Sequence, residues 1–243
     1  MYKNFAYIYD DFMESVDYEM WTDYLISIFE KFNIKTDLMC ELGCGTGNIT
    51  SKLVAKSYDV IGLDNSLDML SVAREKNDNI MYLHQDMREL ELFGSVDVFI
   101  SICDSLNYIT DIEDLDLVFS KINYYLNPGG YFIFDLNTEY KFKNILGNNT
   151  YTDTNDKGMY IWENYYDKKA KINEYDLTLF MKTSDDLFEK HVETHLEKAY
   201  FKKDIKSILK RYNLKLVNSF DAFTFNKPNK KSERIYYVVR KEK

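Results

Sequence analysis

Met39-Cys40-Glu41-Leu42-Gly43-Cys44-Gly45-Thr46-Gly47-Asn48-Ile49-Thr50 decides how this chain folds. An apolar run ends in an acid, three glycines follow at alternating positions, and a helical pattern starts almost at once. Glycines placed in this way let a chain leave a strand, turn sharply and lay bare backbone against a ligand. The N-terminus of the helix that follows offers unpaired N–H groups. Residues 38–42 therefore read as a strand buried on both faces. Residues 49–56 read as a helix with Ile49, Leu53 and Val54 on one side.

The spacing discriminates among ligands. A dinucleotide turn wants G-x-G-x-x-G with a pyrophosphate on the helix N-terminus. Here the order is Gly43-x-Gly45-x-Gly47, and Asn48 follows. Glu41 stands just before the turn, where a carboxylate repels a diphosphate and favours a cation. An NAD-linked oxidoreductase is opposed on both grounds. No Gly-Lys-Ser/Thr follows, so the turn is not a phosphate-binding P-loop.

Working outward, residues 58–63 form a second strand ending at Asp64, and Ser66 caps a helix over 67–76. A third strand, 80–83, ends near Gln85-Asp86-Met87. A fourth, 96–102, ends at Cys103-Asp104. A helix over 111–126 turns Leu115, Val118, Phe119, Ile122 and Leu126 inward until Asn127-Pro128-Gly129-Gly130 stops it. Residues 131–136 are a fifth strand, and 214–223 with 235–239 close the sheet as an antiparallel hairpin at its edge. This alternation predicts an α/β fold, a doubly wound, mostly parallel seven-stranded sheet. Right-handed crossovers put the strand C-ends along one edge, where ligands bind. Glu41, Asp64, Asp86 and Asp104 should converge there.

Two segments fall outside this alternation. Residues 1–34 are helical and aromatic, with Trp21, Leu25, Ile28 and Phe29 at helical spacing and Tyr2, Tyr7 and Tyr9 ahead of them. Residues 150–201 alternate instead, which predicts three antiparallel strands (159–165, 172–181 and 187–200) before a helix over 202–212. They form a small inserted antiparallel β lobe.

The chain has 243 residues, 45% hydrophobic and 29% charged, with a net charge of −9. That length and mix suit one globular α/β domain with a small lobe. The acidity and lack of a basic face disfavour nucleic-acid substrates. Cys40, Cys44 and Cys103 are odd in number and lack metal-ligand spacing, so they read as reduced core thiols and no metal is expected. No run approaches the roughly 20 apolar residues of a spanning helix, and no secretory leader is visible, so a cytoplasmic protein without membrane contact is expected. The 21 Tyr and 16 Phe fit an aromatic-lined pocket or the codon bias of an AT-rich genome.

The stretch Glu41-Leu42-Gly43-Cys44-Gly45-Thr46-Gly47 resembles the first motif of the class I S-adenosylmethionine-dependent methyltransferases, which have a Rossmann-like fold. The resemblance continues in order over about residues 36–137. It takes in Val60-Ile61-Gly62-Leu63-Asp64-Asn65-Ser66, Gln85-Asp86-Met87, Asp97 to Tyr108, and Leu126-Asn127-Pro128-Gly129-Gly130 into Asp135. It implies S-adenosyl-L-methionine as co-substrate. Gly43, Gly45 and Gly47 would admit the methionine moiety and Glu41 would face its ammonium. Asp64 would accept from the ribose hydroxyls, and Asn65, Met69 and Met87 would hold the adenine or ribose edge. Asp86 would accept from the adenine amino group. Cys103 and Asp104 would line the sulfonium side. Cys44 joins this cofactor-binding set by position, its thiol inert.

Methyl transfer needs alignment and a dry site. Tyr7, Tyr9, Asp104, Asn107, Tyr108, Asn137 and His195 are the candidates to face the methyl group. Tyr9, Asp104, Asn107 and His195 are carried forward as catalytic. Asp104-Ser105-Leu106-Asn107 departs from the Asn/Asp-Pro-Pro-Tyr of enzymes that methylate amino groups of nucleic acids and proteins, which points to a small-molecule acceptor. His191-Val192-Glu193-Thr194-His195 lies in an alternating strand and lacks the zinc-helix order. The organisation expected is residues 1–137 and 201–243 for the cofactor-binding domain and 138–200 for a lid carrying acceptor specificity. The protein would act as a monomer or homodimer on an N or O atom; the alternative is a non-catalytic sensor of S-adenosylmethionine.

Overall fold

The computed structural model describes Ala6, Asp10 and residues 16–183 and 187–242. The aromatic positions Tyr2, Phe5, Tyr7, Tyr9 and Phe12, and the turn at 184–186, lie outside the described residues.

A seven-stranded sheet runs in the order β10-β11-β5-β4-β1-β2-β3. The strands β1 (Met39–Leu42), β2 (Val60–Asp64), β3 (Tyr82–His84), β4 (Val96–Ser101) and β5 (Leu126–Asn137) pair in parallel. β10 (Leu214–Asp221) and β11 (Arg234–Lys241) add antiparallel, with β11 against β5. The chain steps outward from β1 to β3 and then returns to β4 on the other side of β1. A crevice opens at that reversal, beyond the strand C-ends. The glycine turn after β1 and Cys103-Asp104 after β4 both border it.

Central strands bury alternate residues on opposite faces, the period-2 geometry of a strand. Phe99, Phe132 and Phe134 pack with Leu115, Val118, Phe119 and Ile122 of α4 (Ile112–Tyr125) and Ile205, Ile208 and Leu209 of α5 (Lys202–Arg211). Val98, Ile100 and Ile133 pack on the other face with Leu25, Ile28 and Phe29 of α1 (Tyr18–Phe32) and Ile49 and Leu53 of α2 (Asn48–Ala55). Each such side chain contributes about 1.5–3 kcal/mol by leaving water. Helix starts follow capping chemistry: Asp17 accepts from the Met20 amide, Ser66 from Met69 at the head of α3 (Leu67–Lys76), and Asp111 from Glu113. Among the described residues no helix is long and apolar enough to cross a membrane.

After β5 the chain makes a π-helical turn, Lys141–Leu146, and then a separate four-stranded antiparallel sheet, β6 to β9 in order. Its strands are Thr150–Asn155, Gly158–Asp167, Ile172–Lys182 and Phe188–Lys198. Sequence periodicity finds only three of them. β6 is a polar, mostly exposed edge strand and so lacks the apolar alternation that a buried face imprints. In register, Tyr160 faces Leu179, Trp162 faces Leu177, Tyr175 faces His195 and Asn173 faces Glu197, which puts these side chains on one face of the sheet.

Candidate active site

One cavity of about 810 Å³ lies between the crevice and the inner face of the second sheet. Glu41, Gly43, Cys44, Gly45, Asp64, Asn65, Met69, Asp86, Met87, Cys103, Asp104 and His195 all line it, as do Tyr108 and Asn137.

The glycine turn is built by close contacts. The Gly43 and Cys44 amides both donate to the Leu63 carbonyl, at 2.7 and 3.0 Å. Gly43 has φ +72°, and a Cβ there would sit 2.6 Å from Ser105 Oγ. Only glycine meets both conditions. Gly47 begins α2 and does not line the cavity. Asp10 ties the N-terminal segment to this turn: Thr46 Oγ1 donates to it at 2.6 Å, Asn48 Nδ2 at 3.0 Å, and Lys76 pairs with it.

Two acids at this end form no ion pair among the described residues. Glu41 is 3% exposed and accepts from the Thr50 hydroxyl; among the described residues it forms no ion pair. Burial pushes its carboxyl up to about 8, the charge of Asp64 adds to this, and the Thr50 hydrogen bond opposes it. Asp64 accepts from the Gly45 amide and the Ser66 amide, each at 2.8 Å. Burial raises its pKa against these backbone donors. Each carboxylate oxygen accepts twice, so Asp64 keeps capacity for further donors. Asp86 differs. Arg88 holds it through Nε at 2.9 Å and Nη2 at 2.6 Å and keeps its carboxyl low, while Nη1 of the same guanidinium reaches Asp114 at 2.8 Å.

The C-end of β4 carries a charged cluster. Cys103 and Asp104 both adopt positive φ, 58° and 59°, a costly conformation for two successive non-glycine residues. Asp135 holds it by accepting both their amides, at 3.1 and 2.8 Å. Arg234 bridges Asp135 and Asp104 at 2.9 and 2.8 Å, with its guanidinium 4.9 Å from the Trp21 ring. Asn137 Nδ2 donates to Asp104 at 3.0 Å, and Lys141 donates to Asn137 Oδ1 at 3.0 Å. Burial works against the Asp104 charge, yet Arg234 and Lys141 prevail and its carboxyl sits below the usual range.

The second sheet supplies the far wall. His195 stacks on Tyr175, with ring centroids 4.7 Å apart, and meets Tyr108 edge-on at 5.8 Å. Its Nε2 is 3.3 Å from Glu193. The hydroxyls of Tyr108 and Tyr175 are hydrogen-bonded.

Asn107 corrects a sequence expectation. It is fully buried and does not line the cavity. Its amide donates to the carbonyls of Asn137 (3.2 Å) and Lys198 (2.8 Å), and its oxygen accepts from the Asn137 amide at 2.9 Å. Both of its N–H donors and one lone pair of its oxygen join the two ends of the inserted segment, so it does not face the cavity. Tyr9 lies outside the described residues. Sequence reasoning also missed Arg88, Lys141, Trp162, Tyr175, Glu197 and Arg234, all of which line the cavity. Strand alternation could have grouped Glu197 with His195, and Tyr175 with Leu177 and Leu179. Nothing local marks Lys141 or Arg234.

The comparisons agree with this geometry. The family model described as a methyltransferase domain matches residues 39–130. YqeM of Bacillus subtilis (strain 168), which carries a methyltransferase name, is 30% identical over 100% of this chain and 98% of its own. The crystal structure of an S-adenosylmethionine-dependent methyltransferase from Clostridium acetobutylicum ATCC 824 is 33% identical. It has a TM-score of 0.88 and covers 100% of this chain and 99% of that one. The sugar N-methyltransferase KedS8 from Streptoalloteichus sp ATCC 53650 shares the fold at 13% identity, with a TM-score of 0.82 over 98% of this chain and 93% of its own.

Proposed function

The chain belongs to the S-adenosylmethionine-dependent methyltransferases, and from that premise we propose that it methylates a nitrogen or oxygen atom of a small-molecule acceptor. The observation that carries this reading is one continuous cavity lined both by the strand C-ends and by the second sheet, with Cys103 and Asp104 among its lining residues. A concave site of this kind takes a small ligand. Proteins that share this fold include the sugar N-methyltransferase KedS8 and the glycopeptide N-methyltransferase MtfA, which supports such an acceptor.

S-adenosylmethionine supplies a methyl group on a sulfonium centre. The residues present fit it. Glu41 is a buried acid with no ion pair among the described residues, suited to an ammonium, and Asp64 retains acceptor capacity for ribose hydroxyls. Met69 and Met87 offer apolar surface to adenine. Gly43 and Gly45 keep the floor bare, with open space where a Gly45 Cβ would point. Cys44 and Asn65 complete the set. Asp86, held by Arg88, presents its remaining lone pairs to the adenine edge. His195 and Asp104 flank the acceptor. Residues 138–200 act as the acceptor lobe on the domain formed by 1–137 and 201–243.

The test has two parts. A thermal-shift comparison of S-adenosylmethionine, S-adenosylhomocysteine and NAD should show stabilisation by the first two, of about 2.7 kcal/mol at a hundred-fold excess over Kd. Stabilisation by NAD alone would overturn the reading. Incubating labelled S-adenosylmethionine with fractionated metabolite pools should then transfer label to a small molecule; label found only in protein or nucleic acid would remove the small-molecule acceptor.

A further inference from the structure

Cofactor binding has no use for the buried acid that the second sheet brings to the cavity. Glu197, on β9, is 3% exposed and lines the chamber together with Asp104. A charged carboxylate beside a second buried carboxyl group favours the neutral form of that second group. Asp104 accepts from Arg234 and Asn137, so it is the charged group and Glu197 the neutral one. Burial and the Asp104 charge push Glu197 in the same direction, well above the usual range. Lys141 and Arg234 face it from the π-helical turn and β11, and Tyr108 and Tyr175 from the short helix after β4 and from β8. Arg234 is committed to Asp104 and Asp135, and Lys141 donates to Asn137. Among the described residues Glu197 has no ion pair.

The wall beside it is aromatic. Tyr160, Trp162, Tyr175 and His195 line the same chamber, and among the described residues Trp162 Nε1 has no hydrogen-bond partner. Aromatic rings beside an acid that forms no ion pair among the described residues suit a compact organic cation. A neutral alcohol would use only the rings.

We propose that the acceptor is an amine that enters as its ammonium ion, and that Glu197 is both its charge partner and the base that takes its proton. The inference rests on the small-molecule methyltransferase reading. As the ammonium docks, the resting proton of Glu197 leaves to solvent. An N–H bond of the ammonium then breaks, its proton forms an O–H bond on Glu197, and the nitrogen lone pair is freed for the methyl group. Glu197 returns to its neutral state, and one proton per acceptor has been released.

The test uses protein saturated with S-adenosylhomocysteine, titrated calorimetrically near pH 7 with benzylamine and with benzyl alcohol, in two buffers of different ionisation enthalpy. Benzylamine should bind at least about ten-fold more tightly and release about one proton. Glu197→Gln keeps the shape of the neutral acid. It should bind the two probes alike, release no proton and hold S-adenosylhomocysteine with wild-type affinity. Equal binding of the two probes by the wild type, including none of either, overturns the proposal; so does an amine preference that survives in Glu197→Gln. Failure of S-adenosylhomocysteine to bind at all would instead remove the methyltransferase reading on which the inference stands.

Discussion

Replacing Glu41 with Gln should move stability and cofactor affinity in opposite directions. Glu41 ends β1 almost fully buried, with Thr50 as its hydrogen-bond partner. Burial, reinforced by Asp64 and opposed by Thr50, raises its pKa from 4.5 to about 8. For an acid, a folded-state pKa raised in this way means that the fold favours the neutral form. The resulting penalty is absent below about pH 4.5, grows as pH rises and levels off above about pH 8. At about 1.4 kcal/mol per unit, it reaches about 3 kcal/mol at pH 7 and about 5 kcal/mol at its plateau. Gln has the shape of the neutral acid and escapes it. The ligand-free Glu41→Gln protein should therefore melt several degrees above wild type at pH 7.5, at about 2–4 °C per kcal/mol for a chain of this size. The two melting curves should converge as pH falls toward 4.5. The same change removes the charge that faces the ammonium of the cofactor, a loss of about 1.5–3 kcal/mol or ten- to a hundred-fold in affinity. Scanning calorimetry from pH 4.5 to 8.5 and titration with S-adenosylhomocysteine measure both effects. A variant no more stable than wild type at pH 7.5, or one that binds S-adenosylhomocysteine as tightly, would refute the reasoning.

Asp64→Ala should weaken S-adenosylmethionine binding by about ten-fold or more through lost charge-assisted hydrogen bonds; unchanged affinity by titration removes Asp64 from the site. Asn107→Ala orphans buried groups of Asn137 and Lys198 and should cost about 2–4 kcal/mol in urea unfolding, while the folded fraction keeps its S-adenosylhomocysteine affinity. Gly43→Ala places a Cβ against Ser105 at φ +72° and should cost about 1–3 kcal/mol of stability. Pairing it with Ser105→Gly should recover the clash but not the backbone strain, and full recovery would contradict that division. Arg234→Met leaves the buried Asp135 and the partly buried Asp104 without their cation, which should cost about 3–5 kcal/mol in the same unfolding assay at neutral pH.

The parallel half of the fold was legible because its strands are buried on both faces and its turns are punctuated by glycine and acid. Glu41, Asp64, Asp86 and Asp104 could be gathered at one edge from alternation alone, since right-handed crossovers leave little choice. The chamber walled by the second sheet was not legible in this way. Arg234 lies 130 residues from Asp104 and meets it only because β11 pairs with β5. Lys141 sits in a π-helical turn that no spacing announces. Asn107 misled because a polar residue just after a motif acid reads as catalytic, whereas its environment is a buried backbone junction. Glu197 shares a strand face with His195 and could have been grouped with it by alternation; what the sequence does not announce is that this polar face turns inward, leaving Glu197 3% exposed.

The Asn107 junction also bears on how such proteins diversify. One side chain clasps Asn137, where the chain leaves the parallel sheet, and Lys198, where it comes back. The segment between them is thereby closed at its base, much like a cassette held in a socket. On the reading proposed above, in which this segment carries acceptor specificity, selection could retune what is methylated separately from how the methyl donor is held, and chimeras cut at these two positions would test that separation.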